Sequence, residues 1–182
     1  MPFEVKKTIV LVGMMGSGKT AIGTALARRL KVRFVDSDAE IEAASNMTIA
    51  EIFARDGEPF FREKEGQVIA RLLSGRPCVL STGGGAFLQE SNRDAIAAKG
   101  VSVWLRAEIG LLWSRVRHKG TRPLLMTDDP YATLKRIFEE RTPVYAEADL
   151  VVDADAACSI EMMTDRVLEA LTARPDVLEA PR

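Results

Sequence analysis

Short β-branched runs alternate with longer amphipathic segments along the chain: Thr8 to Val12 then Ala21 to Leu30, Val32 to Val35 then Ala39 to Ala44, Val79 to Ser81 then Ser91 to Lys99. The rhythm continues through Val101 to Leu105 with Glu108 to Val116, and through Leu150 to Val152 with Ile160 to Leu171. Strands that are apolar on both faces and separated by helices predict a parallel sheet between helical layers. About five such strands make one α/β domain. Two stretches break the rhythm. Thr48 to Gly75 reads as helix after helix, and Val116 to Asp129 as a basic loop; α/β enzymes insert substrate covers and lids in such places. Thr48 and Glu51 have capping-box spacing, as do Ser37 and Glu40, and Asp129 before Pro130 has the order of an N-cap and first helical residue. The expected layout is one domain over residues 1–173, with a substrate-binding insertion at about 36–66 and a lid at about 115–129. Residues 174–182, with two prolines and no periodicity, read as a flexible tail.

Composition narrows the class. The chain has 182 residues, with 25 Lys and Arg against 26 Asp and Glu and a formal charge of −1, a balance that argues against a nucleic-acid-coating protein. A 47% hydrophobic content is that of a globular protein able to fill a core. Cys78, Cys158 and the single His118 cannot complete a zinc cage from Cys and His alone, and reduced thiols are expected. The apolar run Ile9 to Val12 is too short for a signal-peptide core or a membrane span, so the expected location is the cytoplasm.

The strongest chemical signal follows the first long strand. Gly13-Met14-Met15-Gly16-Ser17-Gly18-Lys19-Thr20 fits G-x-x-x-x-G-K-[ST], with a strand before it and a helix after it, as a phosphate-binding loop requires. Glycines allow consecutive backbone N–H groups to turn inward around phosphate oxygens, and the helix N-terminus adds a favourable dipole. Gly16, Ser17, Gly18, Lys19, Thr20 and Ala21 are therefore candidate residues for binding ATP or GTP, with Lys19 on the β and γ phosphates and Thr20 on Mg²⁺. No Asn-Lys-x-Asp or Asp-x-x-Gly occurs, which argues against a regulatory GTPase. Leu150-Val151-Val152-Asp153 comes too late to read as the acidic strand of a motor ATPase.

Four further segments accompany the loop: Asp36-Ser37-Asp38, Phe60-Phe61-Arg62-x-x-Glu65, Ser81-Thr82-Gly83-Gly84-Gly85, and Arg122-Pro123-Leu124-Leu125. In this order, from residue 8 to about residue 170, the chain resembles the shikimate kinase family. The resemblance implies a three-layer P-loop kinase fold and transfer of the γ-phosphoryl of ATP to the 3-hydroxyl of shikimate, a step toward chorismate and the aromatic amino acids. It implies that Asp36 helps to hold Mg²⁺ through water, and that Asp38 binds the acceptor hydroxyl and takes its proton. It further implies that Arg62 and Arg141 clamp a carboxylate, that Gly83, Gly84 and Gly85 meet the substrate hydroxyls, that Arg122 reaches the transferred phosphoryl group and that Arg115 lies near the adenine. ATP and shikimate are the expected partners of a monomer that binds neither nucleic acid nor membrane.

Plainer readings exist residue by residue. The acids at 36 and 38 could serve only the start of a helix, Arg62 could pair with Glu58 or Glu65, and the basic loop could be a solvated surface. The turn Asp153-Ala154-Asp155-Ala156 departs from any fixed pattern and receives no adenine role. The alternatives for the whole chain are another small-molecule P-loop kinase, gluconate kinase-like, and a non-catalytic nucleotide-binding module.

Overall fold

The structure is a computed structural model and describes residues 2–118 and 125–182. Its strands are β1 (Glu4–Val5), β2 (Thr8–Val12), β3 (Phe34–Asp36), β4 (Val79–Ser81), β5 (Gly100–Arg106), β6 (Leu150–Asp153) and β7 (Leu178–Glu179). The helices are α1 (Lys19–Leu30), α2 (Ser37–Ser45), α3 (Ile49–Leu73), α4 (Glu90–Lys99), α5 (Ile109–Val116), α6 (Pro130–Tyr145) and α7 (Ile160–Thr172). Five strands form one parallel sheet in the order β3-β4-β2-β5-β6. Successive side chains of β2 point to opposite faces. Ile9 and Leu11 pack with α1 and α7, while Val10 and Val12 pack with α3, α4, α5 and α6. The result is the three-layer P-loop kinase sandwich expected from the alternating pattern.

Local chemistry sets the element boundaries. β3 begins at Phe34 rather than at the expected Val32, because α1 ends in a left-handed Lys31 (φ 55°) and Val32 donates its N–H to Ala27 O at 3.0 Å. That hydrogen bond closes the helix and withholds Val32 from the sheet. Thr48 and Asp129 cap α3 and α6, accepting from the amides of Glu51 and Ala132. The capping reading at Ser37 is corrected: Asp36 is the cap, accepting from the amides of Asp38 at 2.9 Å and Ala39 at 3.3 Å. β3 passes into α2 without a loop, so Ser37 already lies in the first turn, buried, with its Oγ unpartnered. α3 is broken at Gly57 (φ 83°) just before Pro59, which accounts for the helix-after-helix pattern.

The expectation of a loose C-terminal tail is also corrected. β7 pairs antiparallel with β1, and Val177 and Leu178 are buried against the α1/α7 layer. Two paired residues are too few to show a period in the sequence. β1 leads directly into the start of β2, so this clasp lies at the amino edge of the sheet.

Candidate active site

All five strands of the main sheet end at one edge, where ligands of open α/β folds bind. Chain leaving β2 there forms the phosphate-binding loop. Gly16 (φ 81°) and Gly18 (φ 95°) hold backbone conformations that side chains disfavour, and a Cβ on Gly16 would lie 2.8 Å from Val116 Cγ1. Gly18 is the N-cap of α1, where no side chain caps the helix and no acid occupies the first turn. The first-turn amides are thus left for an anion, as phosphate binding requires. Lys19 Nζ donates to Gly13 O at 2.5 Å and lies 3.4 Å from Met14 O, while Arg115 Nη1 donates to Gly16 O at 2.9 Å. A cleft of about 620 Å³ opens over the loop, lined by residues 14–22, Arg115, Cys158, Ser159, Ile160 and Met163. Sequence reasoning missed the last four. They begin beyond the turn after β6, whereas Asp153 to Ala156 line a different cleft with Trp104 and Phe138.

The candidate acceptor half is assembled around the glycines that follow β4. A Cβ on Gly83 would lie 2.8 Å from Asp38 Oδ1 and 3.0 Å from Oδ2; one on Gly84 would lie 2.6 Å from Arg141 Nη1; one on Gly85 would collide with the Arg62 guanidinium. Each missing methyl group therefore makes room for one of the three candidate acceptor-site side chains. The three groups come from α2, α6 and α3, and the glycine turn brings them together. Arg62 Nη1 also pairs with Glu65 at 2.9 Å, and its Nε lies 3.5 Å from the exposed Glu58. Both ion pairs proposed as the plain reading of Arg62 exist, and they coexist with its place on Gly85.

The acids here are electrostatically stressed. Burial pushes the Asp38 carboxyl above the usual carboxylate range, Asp36 and Glu42 push the same way, and Lys19 and Arg62 oppose them. Its Oδ1 is buried with no hydrogen-bond partner. Glu65 is fully buried and likewise raised by desolvation, with Arg62 the main opposing charge. A half-buried carboxylate with a free oxygen beside a lysine and an arginine is suited to accepting a proton from an alcohol. Tyr145, which the sequence reading passed over, is buried and donates its hydroxyl to Gly84 O at 2.6 Å. The spacing of Arg141 and Tyr145, one helical turn, could have placed both on one face.

The donors available for a cation are oxygens: the Thr20 hydroxyl in the cleft and the Asp36 carboxylate, whose Oδ1 is occupied by the cap. Among the described residues no group of three Cys, His, Asp or Glu side chains could enclose a metal. One hydroxyl and one carboxylate fit Mg²⁺, which completes its shell with phosphates and water. Arg122 and residues 119–124 lie outside the described residues.

Comparison with known proteins agrees with this geometry. The family model described as shikimate kinase matches residues 15–172. The chain belongs to the shikimate kinase family. A shikimate kinase from Ruegeria pomeroyi is 66% identical over 173 residues, covering 95% of this chain and 89% of that protein. The structure of a shikimate kinase from Acinetobacter baumannii in complex with shikimate superposes with a TM-score of 0.85 at 35% identity, covering 92% of this chain and 94% of that one. A gluconokinase from Sinorhizobium meliloti, at TM-score 0.62 and 20% identity over 93% of this chain and 94% of its own, shares the fold alone. As a shikimate kinase the chain is a phosphotransferase that uses ATP.

Proposed function

We propose that the chain moves the γ-phosphoryl of ATP to the 3-hydroxyl of shikimate across the space between the phosphate-binding loop and the glycine turn. The observation that carries this reading is the glycine turn itself, which gathers one acid and two guanidinium groups at the strand edge that also bears the loop. Arg62 and Arg141 would bind the acceptor carboxylate through their planar forks, which match a carboxylate and stay charged at any working pH. Held this way, the hydroxyl would meet Asp38, which takes its proton as the oxygen attacks phosphorus. Lys19 would leave the loop carbonyls for the β and γ phosphates, and the α1 amides would hold the phosphate oxygens. Thr20 and Asp36 would hold Mg²⁺, which when bound neutralises charge on the phosphates. Arg115 borders the nucleotide cleft through Gly16 and would face the base side of ATP. Arg122 has the role implied by the family pattern, stabilising the phosphoryl group in transit, and residues 115–129 would act as the lid.

The reading includes a cytoplasmic monomer with ATP and shikimate as its small-molecule partners; among the described residues no helix is long and apolar enough to cross a membrane. Steady-state turnover with ATP and Mg²⁺ against shikimate, gluconate, AMP and water tests it. Phosphorylation of shikimate with kcat/KM at least about 100-fold above the other acceptors is expected. Equal or greater transfer to gluconate would reassign the acceptor site, and ATP binding without transfer to any acceptor would leave a nucleotide-binding module.

A further inference from the structure

Three successive glycines permit close approach but give no stiffness of their own, so something else must hold the turn. Its carbonyls are all taken. Ala86 N–H donates to Gly83 O at 3.0 Å and Leu88 N–H to Gly85 O at 3.2 Å. Asn92 Nδ2 donates to Ala86 O at 2.9 Å and Arg93 Nη1 to Phe87 O at 2.7 Å, both from the adjoining α4. The central carbonyl, that of Gly84, accepts from Tyr145 Oη at 2.6 Å, a bond that reaches across from α6. The same glycine leaves room for Arg141 Nη1, one helical turn before Tyr145. Gly84 is therefore held by α6 through its carbonyl, and its lack of a side chain leaves room for the Arg141 guanidinium of the same helix. The Tyr145 ring is buried, with its centroid 6.0 Å from that of Trp104, so the hydroxyl has little freedom to point elsewhere. Burial pushes the phenol pKa up, against the nearby Arg141, which keeps it a donor at neutral pH.

We propose that Tyr145 is a positioning residue for the acceptor site: its hydroxyl locks the glycine turn to α6 and thereby sets the Arg141 guanidinium opposite Arg62 and Asp38. The inference rests on the reading of Arg141 as a carboxylate clamp. It predicts a defect confined to the acceptor, because the nucleotide cleft shares no lining residue with this contact.

Steady-state kinetics of Tyr145→Phe, Arg141→Lys and the double variant test it. Phe retains the ring and its packing on Trp104 and removes only the donor. The expected result for Tyr145→Phe is a KM for shikimate raised about tenfold, with kcat and the KM for ATP within about twofold of the parent. Arg141→Lys should raise the same KM, and the double variant should fall short of the product of the two single effects, since both act on one contact. An unchanged shikimate KM in Tyr145→Phe beside a raised one in Arg141→Lys overturns the proposal and leaves the clamp standing. An unchanged KM in Arg141→Lys overturns both. Loss of affinity for both substrates together with a lower melting temperature in Tyr145→Phe overturns it in favour of a purely structural hydroxyl.

Discussion

The proposed phosphate side of the cleft is one run of chain, residues 13–20, whereas the proposed acceptor side draws Asp38 from α2, Arg62 from α3, three glycines from the turn after β4, and Arg141 and Tyr145 from α6. A contiguous loop can be built wherever a strand turns into a helix, because its shape depends on local φ and ψ values. The acceptor half exists only when four elements are packed to within about an ångström. Damage should follow the same division: changes in the loop should strike the chemistry of the nucleotide, and changes at the glycines should strike recognition of the acceptor while sparing ATP.

Lys19→Ala is the most severe test on the phosphate side. The loop backbone should still form, but the charge that stabilises the transferring group is lost, so kcat should fall by on the order of 10³ with an unchanged circular dichroism spectrum. Normal turnover would mean that the α1 amides suffice. Asp38→Asn belongs to the other half and to the chemistry as well. It preserves shape and removes basicity, so kcat should fall about 100-fold or more with little change in the KM for ATP.

Gly85→Ala separates the halves most cleanly. Gly85 has φ −90°, which alanine adopts without strain, but the new methyl group displaces the Arg62 guanidinium, the far end of a long side chain. The fold should persist, the KM for shikimate should rise about tenfold, and the KM for ATP should stay within about twofold. Equal losses for both substrates would show that the two halves are mechanically coupled.

The smallest effect is on stability. Folding raises the pKa values of Asp38 and Glu65, so between the unfolded and folded pKa values the native state holds protons that the unfolded state has released. Their contribution is fully present below the unfolded value and is lost as pH climbs through the folded one. Asp38→Asn should remove part of that slope, Glu65 retaining the rest, and should make the protein more stable at neutral pH by up to about 1 kcal/mol. Denaturant melts at pH 4 and pH 7 measure it; a destabilised variant at pH 7 would show that Asp38 is net favourable through Lys19 and Arg62.

The sequence displayed the two halves unequally. The alternation of β-branched and amphipathic runs was enough for the parallel sheet, and the phosphate-binding loop could be read directly because its meaning lies in consecutive residues. Asp38, Arg62, Arg141 and the glycines could be named only through their resemblance to a family; taken singly, their spacing also suits caps and surface ion pairs. What stayed hidden was pairing across the chain. That each glycine accommodates one particular side chain, that Tyr145 bonds Gly84 from 61 positions away, and that Cys158, Ser159, Ile160 and Met163 line the cleft over the loop are consequences of packing that no local period records. Asp36 illustrates the opposite error: the capping signal was real but one residue displaced, because β3 runs into α2 without a loop.

The β1–β7 clasp also determines how the molecule carries a mechanical load. Glu4 faces Glu179 and Val5 faces Leu178, so chain entering at Glu4 and leaving at Glu179 does so side by side, and Lys6 ties the inner end through Val177 O while its side chain reaches back to the Glu179 carboxylate. Tension applied through residues 4 and 179 pulls on the open end of an antiparallel pair, which unzips one hydrogen bond at a time rather than shearing all at once. A tether or fused partner at either end would therefore spend its force on this small fastening at the amino edge, and the reacting groups at the carboxyl edge would feel little of it until the fastening had parted.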